Sequence, residues 1–400
     1  MYDKEDMLPK ATFFVYPWDI HDEGIGLALK NIQGCGIDGL ELAVSYHIGT
    51  YVLPRNPKRF AYSGNHGALY FQPDRALYSK TSIEPVVADV VEGPDYLTQI
   101  LGAARENGMK TTAWVVYCYN HQLARNVKAG KVNVFGDPDH GQLCVANTDV
   151  REYCTALTKD VVDNYSFDGI FVESLDYMPF GYGFLNPKVA VRFPTEVSLL
   201  LGLCFCEYCQ QAASRQGVDV DRFMSGLQEW IREYCRKLPD MIPSPEMVAV
   251  QIQEVFGEEL AAYLKARRET ATSLLENNIS LARQVGKHVA IGGIVESDPR
   301  VTGIDVQRTR QLFDRVFITV PQDPTREILR AKIEKAKDNL APSTEIYALV
   351  SPSLFDSEQS FGETLYLLKG DGVDRFGFYN YGILTERHLH WIANTCHLWR

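Results

Sequence analysis

The sequence lacks long apolar runs and an excess of basic residues. No hydrophobic stretch reaches the length that a bilayer-spanning helix requires, and residues 1–10 contain no apolar segment typical of an export signal. The chain contains 40 Lys and Arg and 51 Asp and Glu, which gives a net charge of -11. Because binding to nucleic acid depends on clustered positive charge, we expect neither nucleic acid nor a membrane as a partner. These absences predict a cytoplasmic protein.

The chain also lacks internal repeats, low-complexity tracts and an evident linker. We therefore treat residues 1–400 as a single domain, and 46% hydrophobic with 23% charged residues suit a globular core. A Gly-rich phosphate turn is absent after the first predicted strand, where Tyr16-Pro17-Trp18-Asp19 stands instead. That absence argues against a doubly wound dinucleotide-binding sheet, and no organic cofactor is expected.

Short apolar segments alternate with amphipathic ones along the chain, which is the pattern of strands and helices. We predict eight strands, at 11–17, 37–44, 109–117, 167–173, 289–296, 315–320, 345–350 and 374–380. The helices that follow them are predicted at 23–34, 94–107, 149–164, 250–285, 304–313, 324–339, 358–369 and 385–398. Eight such units predict a (β/α)8 TIM barrel. Segments 48–93, 119–147 and 175–245 would be long insertions after strands two, three and four.

Two glutamates close neighbouring strands of the predicted barrel. Glu173 ends strand four and Glu296 ends strand five. Because the carboxyl ends of all barrel strands open on one mouth, we expect both carboxylates to lie in one site. Paired carboxylates hydrolyse glycosidic bonds, so we assign Glu173 as nucleophile or stabilising carboxylate and Glu296 as acid/base, and the sequence is equally compatible with the exchanged roles. Asp176, three residues beyond Glu173, is the reserve for either role.

Other strand ends supply residues that suit sugar binding. Aromatic residues make up 11% of the chain, and their faces can stack on sugar rings. The candidates for substrate binding are Trp18, His47, Tyr117, Tyr379 and Asn380. A lone His is as often structural, and Trp114, in the middle of strand three, is more typical of core packing.

Three of the nine cysteines form a Cys-x-Cys-x-x-Cys cluster at Cys204, Cys206 and Cys209. Thiols so close in sequence converge on a metal ion more easily than they all form disulfides. A tetrahedral site needs a fourth ligand, for which we select Cys144, in the loop after strand three, with Cys118 as the rival. Such a closed site would hold a structural zinc ion and do no chemistry. Free thiols are the alternative, and they would agree with a reducing compartment.

These motifs resemble glycoside hydrolases. Cys144 in Cys-Val-Ala-Asn, the acid at Glu173 and the cluster from Cys204 to Cys209 are similar in their order to the β-galactosidases of glycoside hydrolase family 42, a likeness that implies a bound zinc ion. The segment Phe167-Asp-Gly-Ile-Phe-Val-Glu resembles strand four of uncharacterised glycosidase-like barrels related to α-amylases and fucosidases. That second likeness implies that the strand-four carboxylate is the nucleophile.

The chain departs from the family 42 pattern at two positions. Val172 precedes Glu173 where the family has Asn, and strand seven, which carries the nucleophile of the family, offers no acid in Ile346-Tyr-Ala-Leu-Val-Ser. β-Galactosidase activity therefore does not follow from the resemblance. The resemblance implies a glycosidase-like barrel whose second carboxylate comes from elsewhere, and Glu296 is the best position for it.

We therefore predict a glycoside hydrolase that acts on a neutral or mildly anionic carbohydrate. Arg55, Arg59 and Arg75, in the first insertion, could bind a uronate or a sulfate. A metal-dependent isomerase or aldolase barrel is the second hypothesis, although it needs two His and two acids at strand ends and only His47 is well placed. A non-catalytic carbohydrate-binding barrel is the third. Homo-oligomers are compatible with the large insertions.

Overall fold

The computed structural model describes residues 8–47, 49–65, 67–126, 128–182, 188, 193–236, 244–285, 289–294 and 298–400. Glu296, the predicted acid/base, lies outside these described residues. Eight parallel strands close into a barrel, in which the last strand pairs with the first. They are β1 (Ala11–Val15), β2 (Gly39–Tyr46), β3 (Lys110–Val116), β4 (Gly169–Glu173), β5 (Ala290–Ile294), β6 (Arg315–Thr319), β7 (Glu345–Val350) and β8 (Arg375–Phe378). The predicted TIM barrel is confirmed.

The helices surround the barrel and fill its insertions. They are α1 (Pro17–Glu23), α2 (Ile25–Gly34), α3 (Tyr96–Glu106), α4 (His121–Asn126), α5 (Thr148–Asn164), α6 (Thr195–Gly202), α7 (Glu207–Ser214), α8 (Val220–Arg236), α9 (Pro245–Val285), α10 (Pro299–Thr302), α11 (Val306–Thr309), α12 (Arg326–Asn339), α13 (Glu358–Gly370) and α14 (Glu386–Thr395). Of the helices that the structure describes, none is both long and apolar enough to cross a membrane.

Two predicted helices differ in the structure from their predicted bounds. The predicted helix 23–34 begins earlier, and Gly24, with a φ of 92°, separates α1 from α2. Within the predicted helix 304–313 only α11 is helical, and the Asp305 carboxylate caps it; the short α10, which Gly303 ends at a φ of 72°, precedes this range and was not predicted. Glycine adopts a positive φ without the steric cost that other residues incur, so α1 and α10 can both end at a glycine.

Side chains pack the barrel interior from its floor upward. The Arg315 guanidinium lies 2.7 Å from the carboxylate of Glu41, and both side chains are fully buried. Above this ion pair, the ring of Phe14 meets Trp114 and Phe171 edge to face, with centroid distances of 5.1 and 5.5 Å. Buried charges require partners and aromatic rings favour such contacts. The packed interior leaves the strand ends as the place where a ligand can enter.

The third insertion is a helical layer built on the 41-residue helix α9. The N-terminal half of α9 contributes Val248, Ile252 and Phe256 to an apolar cluster with α6, α7 and α8. Its C-terminal half contributes Leu274 and Ile279 to the core between the barrel and its helices. One helix therefore ties the insertion to the barrel.

Candidate active site

Glu173 closes β4 and its side chain is partly buried at the barrel mouth. The indole N–H of Trp114 donates a hydrogen bond of 2.6 Å to its carboxylate. The backbone pairing continues to this point, since Tyr117 N donates to the Glu173 carbonyl oxygen at 3.0 Å. Trp114 thus combines the expected core packing with a second role, because its N–H orients the carboxylate.

Three tyrosine hydroxyls form a chain above the aromatic layer. The Tyr379 hydroxyl lies 3.3 Å from that of Tyr16 and 3.0 Å from that of Tyr46. Burial raises the pKa of Tyr46 and of Tyr379, and the nearby Glu173 charge raises each further. These phenols therefore remain neutral and can donate hydrogen bonds. Tyr379 is one of the predicted binding residues, whereas the sequence indicates Tyr46 only through its position at the end of β2.

Asp176 lies three residues beyond Glu173, in a turn that begins at Ser174, a residue with a φ of 62°. The side chain of Gln142 holds this turn at two points. Its Nε2 donates to the Asp176 carbonyl oxygen (2.6 Å), and its Oε1 accepts from the Met178 N–H (2.9 Å). The structure therefore places the reserve carboxylate in a fixed turn next to the first.

The pKa values of both carboxyl groups are raised above their ordinary values. Burial raises the pKa of Asp176 to about 7, with the Glu173 charge as the next cause, while a backbone hydrogen bond and the Lys131 ammonium lower it. Burial also raises the pKa of Glu173, against the lowering effect of the Trp114 hydrogen bond. Both carboxyl groups therefore hold a proton more strongly than a solvated carboxyl does.

A partly open pocket of about 160 Å³ adjoins this pair, and we call it the β4–β5 pocket. The end of β4 contributes Glu173, Ser174 and Asp176 to its lining. Helix α9, helix α11 and the segment between α10 and α11 contribute Leu275, Val306 and Ile304. The pocket therefore has a polar wall on the strand and an apolar wall on the helices.

The structure places most of the other predicted binding residues around the tyrosine chain. Trp18 is buried and stacks on Tyr16 with centroids 4.4 Å apart. The His47 ring stacks on Tyr46 at 4.0 Å. Asn380 is fully buried, and its side chain accepts from a backbone N–H two residues further on (3.1 Å). Trp18 and Asn380 are thus buried beneath the surface of the mouth, where they pack against or hydrogen-bond to the residues that form it.

Tyr117 does not reach the mouth. Its hydroxyl lies 2.7 Å from Thr158 Oγ1 on α5, in the core between barrel and helices. Side chains alternate along a strand, and the neighbouring Val116 packs with the aromatic cluster of the interior. Tyr117 consequently points outward, and the geometry assigns it to packing.

Two of the arginines considered for anionic sugars are engaged inside the protein. Arg55 donates to the carbonyl oxygens of Leu384 (2.8 Å) and Tyr381 (2.6 Å). Arg59 donates to the Asp22 carboxylate at 3.0 Å. These contacts attach the first insertion to α1 and to the segment after β8, so both guanidinium groups have structural partners.

Four thiols converge beside the barrel mouth. Cys144 Sγ lies 3.5 Å from Cys209 Sγ, 3.7 Å from Cys204 Sγ and 3.4 Å from Cys206 Sγ. A tetrahedral ion with metal–sulfur distances of about 2.3 Å separates its ligands by about 3.8 Å. Within the described part of the chain, this is the one group of residues that could hold a metal ion. Cys118, the rival fourth ligand, instead lies 3.8 Å from Cys154 Sγ.

The thiol cluster is linked to the turn that carries Asp176. The hairpin of Gly130–Val132 and Pro138–Leu143 leads directly to Cys144. Val132 N donates to Cys204 Sγ (3.4 Å), and the buried Lys131 ammonium donates to the Met178 carbonyl oxygen (2.9 Å). A metal ion on the four thiols would therefore brace the hairpin and, through it, the turn.

Asp19, on α1, is a third acid whose pKa is raised. Burial raises its pKa from 3.8 to about 7, against a hydrogen bond from Tyr16 N and the Arg55 charge. Between these values the folded protein keeps a proton that the unfolded chain has released, so the stability that this proton provides is lost as the pH rises towards 7.

We expect Asp19→Asn to reduce the pH dependence of stability. Between pH 5 and pH 8, the free energy of unfolding of the wild type should fall by about 3 kcal/mol more than that of the variant. Urea titrations of both proteins at the two pH values measure the difference. The exposed Asp338→Asn is the control and should follow the wild type. Parallel curves for wild type and Asp19→Asn would contradict the assignment.

Solved structures share this fold at low sequence identity. A β-galactosidase from the psychrophilic Marinomonas ef1 matches with a TM-score of 0.57 and 8% identity, over 97% of this chain and 59% of that chain. One from Bacillus circulans sp. alkalophilus gives 0.58 and 11%, over 97% and 55%. A GH42 β-galactosidase from G. stearothermophilus gives 0.56 and 12%, over 98% and 56%. No family model and no curated protein matches the chain.

The chain thus spans between 55% and 59% of the length of these β-galactosidases. Nearly all of it takes part in the superposition, so the common part is the barrel with its insertions. At such identities the likeness establishes the fold, and it confirms the resemblance to glycoside hydrolase barrels at that level. The chemistry must be argued from the site.

Proposed function

We propose that this protein is a glycoside hydrolase that uses Glu173 and Asp176 at the mouth of its barrel. The observation that carries the proposal is the pair itself: two partly buried carboxyl groups, three residues apart, whose pKa values are both raised by burial. Perturbed acids in a cleft are typical of catalytic sites. The barrel shared with β-galactosidases supports the same reaction class.

The two acids divide the reaction between them. Glu173, oriented by Trp114, acts in its ionised form on the anomeric carbon as nucleophile or as stabilising carboxylate. Asp176, protonated, gives its proton to the glycosidic oxygen while the bond from that oxygen to the anomeric carbon breaks. Asp176 then removes a proton from the water that completes hydrolysis, which restores the starting state.

This proposal gives the acid/base role to Asp176, whereas the sequence predicted Glu296 for it. Glu296 follows β5 and lies outside the described residues, so its role stays a prediction. Asp176 is favoured because its pKa of about 7 lies near neutral pH. At such a pH the protonated form can donate a proton and the ionised form can accept one. A negative charge on Glu173 raises that pKa.

We also propose that the four-cysteine cluster holds a structural zinc ion. Four thiolates complete a tetrahedral shell and leave no position for substrate. The ion would stiffen the hairpin next to Asp176. A metal-dependent isomerase would instead need His and carboxylate ligands gathered at the mouth, and the described residues gather potential ligands at the cysteines alone.

We predict that Asp176→Asn changes both the pH profile and the leaving-group dependence. For poor leaving groups kcat/KM should fall by about 10² to 10⁴, because the general acid is lost. For 2,4-dinitrophenyl glycosides, which need little protonation, the loss should be at least about tenfold smaller. The wild-type decline in kcat/KM above about pH 7 should disappear. A panel of aryl glycosides assayed from pH 5 to pH 9 supplies these data.

Asp338→Asn, on the exposed face of α12, is the matched control and should keep the wild-type profile. Equal losses for good and poor leaving groups would transfer the acid/base role to another residue, with Glu296→Gln as the next variant. Absence of hydrolysis across a broad panel of sugars and both anomers would contradict the proposed function.

A further inference from the structure

The β4–β5 pocket is mostly apolar, although it touches both proposed catalytic acids. Leu275 projects from α9, Ile304 and Val306 come from the region of α11, and Phe313 and Ile294 lie at the entry to β6 and the end of β5. Among the described residues that line it, few polar side chains accompany the acids; one is Ser174, whose buried hydroxyl has no hydrogen-bonding partner in that part of the chain. The apolar wall therefore determines what the pocket can accept.

A sugar ring fits this wall poorly. Each hydroxyl buried without a hydrogen-bonding partner costs about 1–3 kcal/mol, and aliphatic side chains offer none. An aromatic ring has no such cost. A cavity of about 150 Å³ lined by aliphatic and aromatic side chains holds one benzene molecule, and the β4–β5 pocket, at about 160 Å³, has a similar volume. One ring of an aglycone therefore matches both the size and the chemistry.

We infer that the substrate is an aryl glycoside whose aromatic aglycone occupies the β4–β5 pocket, an inference that rests on the proposed function. The phenolic oxygen then lies at the rim that Asp176 forms, where it receives the proton as the glycosidic bond breaks, and a phenol leaves. The sugar lies over the tyrosine chain, whose neutral hydroxyls at Tyr46 and Tyr379 can bind its hydroxyl groups.

Binding of a phenol alone tests the pocket without any catalysis. Calorimetric titration with 4-ethylphenol should show saturable binding with a negative heat-capacity change, the signature of apolar burial. Ile304→Asn, which makes the wall polar, and Val306→Phe, which fills the space, should each weaken binding about tenfold. Ile328→Asn, at an exposed position on α12, is the matched control and should bind as the wild type does.

Hydrolysis provides an independent readout. In Ile304→Asn, kcat/KM for a phenyl glycoside should fall about tenfold relative to wild type, while that for the methyl glycoside of the same sugar should stay within about twofold. Thermal unfolding of each variant reports whether it is folded. Val306→Phe should reproduce the selective loss if Ile304→Asn is unstable.

The outcomes separate the two proposals. Saturable phenol binding that both pocket variants weaken, without hydrolysis of any glycoside, would support the pocket and overturn the proposed function. Hydrolysis with the same phenyl-to-methyl ratio in wild type, Ile304→Asn and Val306→Phe would support the function and overturn the aryl pocket. Phenol binding that is equal in both variants and the wild type would overturn the pocket as well.

Discussion

Glu173→Gln is expected to lower kcat/KM by at least about a thousandfold for every glycoside that the wild type hydrolyses. The amide cannot attack the anomeric carbon or balance the positive charge that develops there. A thousandfold loss corresponds to about 4 kcal/mol of transition-state stabilisation. The side-chain oxygen of Gln can still accept the Trp114 hydrogen bond, so the local structure should persist. Initial rates at several substrate concentrations measure the loss.

The matched control for this change is Glu334→Gln on the exposed face of α12. It removes the same charge from an exposed position that does not line the β4–β5 pocket and should leave kcat/KM unchanged. Thermal unfolding of Glu173→Gln should show a stability equal to or above that of the wild type, because burial of an ionised carboxylate is costly. Wild-type rates in a folded Glu173→Gln protein would falsify the central assignment.

Cys206→Ser is expected to remove the metal ion and to lower the free energy of unfolding by several kcal/mol. Metal binding stabilises only the folded arrangement of ligands, so the free energy of binding is part of the folding free energy. Elemental analysis should show one zinc per chain in the wild type and much less than one in the variant. Denaturant titrations with and without a chelator measure the stability that the ion contributes.

Two other cysteines provide controls for the metal site. Cys235→Ser, at an exposed position on α8, should keep both metal content and stability. Cys118→Ser should also keep the metal, since its sulfur lies near Cys154 and outside the cluster. Loss of zinc from Cys118→Ser with retention in Cys144→Ser would reverse the choice of the fourth ligand. Full zinc content in Cys206→Ser would contradict the site.

The barrel could be predicted because its strands have a local signal. The apolar run before Glu173 forms a strand, and the chain must then leave the core at a charged residue. Cys144 could be selected for a similar reason: loops after neighbouring strands lie side by side, and the structure brings its sulfur to the other three. In both cases a short segment and the topology of the barrel were sufficient.

The sequence misplaced Tyr117, and it ranked Asp176 only as a reserve. A shift of one position along a strand turns a side chain from the barrel interior to the surrounding helices. The sequence contains no local signal that Val116, and not Tyr117, is the last residue of β3 to face the interior. The raised pKa of Asp176, which favours it as the acid/base, depends on burial and on the charge of Glu173. Both effects are set by distances in the folded chain.

The amino-acid sequence by itself determined the order of strands and helices, the barrel they form, the carboxylate at the end of β4 and the set of thiols that meet. These features depend on apolar periodicity and on contacts between neighbouring loops, which a linear pattern contains. Only the tertiary structure decided the titration of Asp176, the tyrosine chain and the apolar wall that α9 and α11 set against β4. These features arise from side chains far apart in sequence, whose burial and mutual distance exist only after the helices have packed on the barrel.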